Sequence, residues 1–117
     1  MLTIRREQTA VFIQAGAKKF EDWMVVHLSK FFSERSQSLG EMKLRKMIQY
    51  GIKRAETHGI TGQRDVCKYI DLMMVFGPDL DTDQKYPWAR EIVQRPWEPE
   101  AKINALQQAA QNYLKEA

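Results

Sequence analysis

Apolar residues recur at helical spacing along most of this chain. Phe20, Trp23, Met24, His27 and Phe31 fall at i, i+3, i+4, i+7 and i+11, one face of a helix ending near Ser33. From about Glu41 a second stripe runs through Leu44, Met47, Ile48, Gly51 and Ala55, while Lys43, Lys46, Tyr50, Lys53 and Arg54 take the other faces. Val66, Tyr69, Ile70 and Leu72 to Phe76 are apolar nearly all round, which marks the segment at about 62–76 as a central helix. A last helix, from about Glu98 to Lys115, places Ile103, Leu106, Ala110, Tyr113 and Leu114 on one side. No stretch alternates convincingly as a strand would. The expectation is an all-α fold, a single compact domain over 1–117 with five or six helices around the apolar one.

The residues between these stripes act as punctuation. Thr3 is placed to cap a first helix from about Ile4, and Gly16 to break or bend it. Glu34 to Gly40, with Ser33, Ser36 and Ser38, reads as a short connection. Gly51 costs its helix about 1 kcal/mol relative to Ala, so its presence implies the close approach of another helix. Gly59 supplies a left-handed stop, Thr61 a cap for the following helix, and Asp65 a negative charge near the positive end of its dipole. Gly77 and Pro78 end the central helix. Asp79, Asp81 and Asp83 decorate the next turn, and Pro87 suits the first position of a short helix with Trp88 and Ile92. Asp71 is the anomaly of the central helix, since an acid in such a run needs a wet edge or a partner; Lys68, three residues earlier, is the local candidate.

Composition narrows the class. The 117 residues suit one domain, and 44% hydrophobic with 10% aromatic content argues against disorder. The lone Cys67 can form no internal disulfide and has no second cysteine for a zinc site, which points to a reducing compartment. Arg5 and Arg6 ahead of a short apolar run are too brief a feature for a secretory signal, and no run approaches the ~20 residues of a membrane span. A cytoplasmic protein with no membrane partner is expected. Residues 1–58 hold eleven Lys/Arg and six Asp/Glu, whereas residues 59–117 hold seven and nine, so a basic half (+5) adjoins an acidic one (−2). Such asymmetry suits a partner-facing surface.

Candidate chemistry is sparse. Asp79, Asp81 and Asp83 resemble the opening of a calcium loop, but Gln84 stands where that loop needs Gly and Arg90 where it needs a bidentate acid. Ala55 to Ile70 has the outline of a helix-turn-helix, supported by the basic helix before it. Asp65 at a packing position, only Gln63, Arg64 and Lys68 available to read bases, and the acidic second half all count against nucleic acid as the partner. His27 lies on an apolar face, His58 in a helix's last turn, and neither has a catalytic neighbour in sequence. Cys67 and Trp23 read as core. No catalytic, cofactor or metal residue is assigned, and the expectation is a protein that is not an enzyme and takes no small-molecule substrate. Trp88 and Trp97, flanked by prolines, and Lys43 and Lys46 on a charged face are candidate partner contacts.

Three segments, GIKRAETHGIT, RDVCKYIDLM and FGPDLDTDQKYPWA, together resemble a family of small bacterial helical proteins associated with type VI secretion effector modules. The likeness covers about residues 45–93, with Gly59, Asp65, Tyr69, Asp71, Gly77, Pro78, Asp79, Asp81, Pro87 and Trp88 at matching positions. It implies a co-chaperone that binds an effector chaperone, the toxin effector, or both, and holds the complex before loading on the secretion spike. No catalytic residue carries over. The turn Asp79, Asp81 and Asp83 leading into Trp88 is the implied contact edge. A cytoplasmic immunity protein and a helix-turn-helix-like DNA-binding regulator are the alternatives.

Overall fold

The computed structural model describes residues 14–116, and within them six helices and no strand. They are α1 (Gln14–Phe31), α2 (Ser33–Leu39), α3 (Glu41–Thr57), α4 (Gln63–Phe76), α5 (Pro87–Val93) and α6 (Pro99–Glu116). The all-α expectation is met. The expected first helix from Ile4, with its Thr3 cap, lies outside the described residues; Gly16 sits inside α1.

α4 is the core element, packed against α3, α6 and, over a narrower patch, α1. Its Val66, Tyr69, Ile70, Leu72, Met73, Met74 and Phe76 are buried, and of its large apolar side chains only Val75, 43% exposed, turns out to water. The reason α3 can lie so close is Gly51. A Cβ there would stand 2.7 Å from Ile70 Cγ1 and 3.1 Å from Met73 Sδ, so only hydrogen fits. Aromatic packing joins the end of α4 to α5 and α6: the Phe76 ring centroid lies 4.9 Å from Tyr86, 5.4 Å from Trp88 and 5.9 Å from Tyr113.

Three local expectations change. The serine-rich segment is α2, not a connection, because Ser36 turns inward and donates its hydroxyl to the Leu28 carbonyl at 3.0 Å. Phe32 alone separates α2 from α1, and its extended-side backbone (φ −133°, ψ 52°) makes the bend. α4 is preceded by Gly62 rather than Thr61, and no side chain caps its N-terminus. Gly59 (φ +79°) and Gly77 (φ +110°) do stop their helices in the left-handed region, as their positions imply.

Two polar clamps hold the helices in place. Arg45 of α3 donates to Glu21 at 2.6 Å and Asp22 at 2.8 Å on α1, and to Glu41 at 3.0 Å on its own helix. Those three hydrogen bonds raise the guanidinium's pKa, and Glu21 also accepts from Gln49 at 2.9 Å. The second clamp is Lys102 of α6, which is 8% exposed and donates to the carbonyls of His58 and Val93, both at 2.9 Å. Those carbonyls sit at the ends of α3 and α5, where a cation meets the negative end of the helix dipole. Among the described residues no helix is long and apolar enough to cross a membrane.

Candidate functional site

The aspartate turn between α4 and α5 is tied to α3 at each of its first two acids. Tyr50 donates its hydroxyl to Asp79 Oδ1 at 2.7 Å. One residue pair further on, Asp81 is 2% exposed, and its Oδ2 accepts from Arg54 Nε at 2.9 Å, from Arg54 Nη2, and from His58 Nε2 at 2.7 Å. Burial pushes the Asp81 carboxyl up, but the hydrogen bonds from His58 and Arg54, with Arg54's charge, outweigh it and hold the group below the usual carboxylate range. Asp83 Oδ1 accepts the Lys85 backbone N–H at 2.9 Å, closing the turn on itself. Asp81 is therefore not available as the partner contact expected of it: its charge is consumed inside the fold. His58, placed by the sequence only in a helix's last turn, is part of that anchor, a pairing invisible in sequence because 23 residues separate the two.

Beneath the turn, the Tyr69 hydroxyl and Asp81 Oδ1 are buried and have no hydrogen-bond partner among the described residues. Burial, reinforced by the charge of Asp81, raises the Tyr69 phenol. An unpaired hydroxyl already bears its desolvation cost, so Tyr69→Phe should change the unfolding free energy by less than about 1 kcal/mol, as a urea titration would show.

The tryptophans exchange roles. Trp88 is half-buried against Phe76, Tyr86 and Tyr113, and its Nε1 is buried with no partner among the described residues, so it packs on the core and is not the docking edge expected of it. Trp97 is 43% exposed beneath the Arg95 guanidinium, 4.6 Å from its ring centroid. Trp23, expected in the core, is 54% exposed and stacks on His27.

Lys43 and Lys46 are exposed, and Lys46 reaches the rim of a groove of about 510 Å³ between α2, α3 and the end of α4. Leu39, Met47, Met73, Met74 and Pro78 give it an apolar lining, while Arg35, Lys46, Tyr50 and Asp79 supply the polar groups. Arg35 is fixed there by donating to the Met74 carbonyl. Lys43, Lys46, Tyr50 and Lys53 follow one another at i, i+3, i+7 and i+10, so a basic stripe runs along α3 beside the groove. The stripe is legible in the sequence and the groove is not, because its lining comes from α2, α3 and α4, which are separated along the chain by Gly40 and by the turn at residues 58–62.

A second cluster unites residues that sequence left apart. Asp71 accepts from His27 Nε2 at 2.9 Å, not from Lys68, and Cys67 Sγ lies 3.6 Å from the same nitrogen. Burial raises the Asp71 carboxyl, with the His27 hydrogen bond acting against it, and burial together with the charge of Asp71 pushes the Cys67 thiol up to about 12. A nucleophile–base–orienter relay needs the acid on the ring nitrogen opposite the nucleophile. Here acid and thiol meet the same nitrogen, so this is not that relay.

No family model, no curated protein and no solved structure matches this chain.

Proposed function

We propose that this protein is a non-enzymatic adaptor of the type VI secretion co-chaperone kind, acting in the cytoplasm. Its partner would be an effector chaperone, bound while that chaperone holds a toxin before loading on the spike. The groove between α2, α3 and α4 is the observation that carries this reading. Met47, half-buried in its wall, can adapt its shape to an incoming apolar surface, and Arg35, Tyr50 and Asp79, each held by a hydrogen bond, can orient it together with the exposed Lys46. The stripe of Lys43, Lys46 and Lys53 adds positive charge alongside, so the segment it suits is an amphipathic one with acids beside an apolar face. Lys46 and Asp79, both expected as contacts, meet at this groove.

A tagged copy expressed in its native cells should recover an effector chaperone or its toxin, and deletion of the gene should reduce toxin delivery without reducing toxin synthesis. Recovery of neither protein at physiological salt would sink the reading. Protection of cells that express the toxin alone would instead favour an immunity protein, and a salt-sensitive duplex complex a DNA-binding regulator.

A further inference from the structure

The cluster at the α1–α4 contact has the donor set of a transition-metal site. Cys67 and Asp71 stand four residues apart on α4 and so project from consecutive turns of one face. His27 comes to them from α1, with Nε2 at 2.9 and 3.2 Å from the two Asp71 oxygens and 3.6 Å from Cys67 Sγ. One ligand atom from each residue lies within 4.8 Å of the other two. The imidazole is held in its plane by neighbours on either side: Trp23 stacks on it at 5.0 Å and 14°, and Phe31 lies 5.0 Å away at 48°.

We infer that His27 Nε2, Cys67 Sγ and an Asp71 carboxylate oxygen bind a divalent zinc-type ion, leaving its fourth position open to water. Zinc bonds of about 2.3 Å to sulfur and about 2.0–2.1 Å to nitrogen and oxygen, arranged tetrahedrally, set ligand atoms roughly 3.3–3.6 Å apart. The sulfur–nitrogen separation already has that value, and the nitrogen–oxygen one must open by a few tenths of an ångström. Thiolate and carboxylate together balance the charge of the ion. A thiolate and an imidazole select zinc, cobalt or copper over magnesium and calcium, which take oxygen ligands. A groove of about 470 Å³, lined by Lys19, Phe20, Trp23, Gln63, Arg64 and Lys68, reaches the cluster at Cys67. Because α1 meets α4 over only a narrow patch, the ion would act as a staple between them. This assignment stands independently of partner docking.

Cobalt(II) titration of the purified full chain, after treatment with a reductant and a chelator, tests it. The expected result is saturation at one equivalent, with a thiolate-to-cobalt charge-transfer band in the near ultraviolet and visible bands of tetrahedral intensity, both bleached by zinc. Cys67→Ala should abolish the charge-transfer band while leaving the circular dichroism of the fold intact, and Asp71→Asn should weaken binding by at least about tenfold. Zinc should also raise the melting temperature of the wild type and not that of Cys67→Ala. Absence of the charge-transfer band in the wild type, or its persistence in Cys67→Ala, would overturn the site. Unchanged affinity in Asp71→Asn would overturn the ligand set.

Discussion

Replacing Asp81 with Ala should cost about 3 kcal/mol of unfolding free energy, among the largest effects available from a single polar residue. The carboxylate is 1% exposed, whereas Arg54 and His58 keep side-chain exposures of 29% and 15%. Removing the acid leaves two donors facing the interior without their acceptor, which in buried pairs costs about 3–5 kcal/mol. The low end applies because Arg54 still reaches some water. Urea titration of both proteins at neutral pH measures the difference, and a loss below about 1 kcal/mol would show that the turn is not anchored through this residue. The pH dependence has a defined sign. The folded carboxyl titrates below its unfolded value of about 3.9, so its contribution is fully present above that pH and is lost as pH falls through the folded value. The stability gap between wild type and Asp81→Ala should therefore be constant from mildly acidic to neutral pH as far as this carboxyl is concerned, and close below about pH 4.

Gly51→Leu should destabilise by about 2–3 kcal/mol in spite of the roughly 1 kcal/mol by which Leu favours a helix over Gly. The first added carbon meets Ile70 Cγ1 at 2.7 Å, and Ile70 is itself fully buried on α4, so neither can yield without moving the helix. Gly51→Ala is the milder case, because its propensity gain offsets part of the overlap. Chemical denaturation would distinguish the two, with the order wild type, Ala, Leu in falling stability. A Leu variant as stable as wild type would mean that α3 and α4 do not cross at this glycine.

Helices α3 to α6 were legible because their signals are local: an apolar stripe, a glycine stop, a proline start. Gly51 announced the helix crossing for the same reason, as the one residue in its stripe with no other justification. What sequence could not supply were pairings set by tertiary approach. Asp71 has Lys68 nearby in sequence, yet its partner is His27, 44 residues away. Asp81 looked like a surface acid among acids, and only the approach of Arg54 and His58 from α3 removes it from solvent. Trp88 and Trp23 were misplaced in opposite directions, since burial of a large aromatic depends on which neighbours arrive and not on its own spacing. The serine-rich α2 reads by composition as a connection, and the inward-facing Ser36, bonded to the Leu28 carbonyl, overrides that.

The basic edge beside the groove can be altered with little effect on the fold, since Lys43 and Lys46 are both exposed and charge changes at such positions stay within about 0.5 kcal/mol. This permits the most direct test of the account. The effector chaperone recovered with the wild-type protein should be purified and titrated calorimetrically with wild type and with the Lys43→Glu/Lys46→Glu double variant. Docking through the groove and its basic stripe predicts at least tenfold weaker binding by the variant, roughly 1.4 kcal/mol, with an unchanged melting temperature. Equal affinity for both proteins would contradict it and move the interface elsewhere on the molecule.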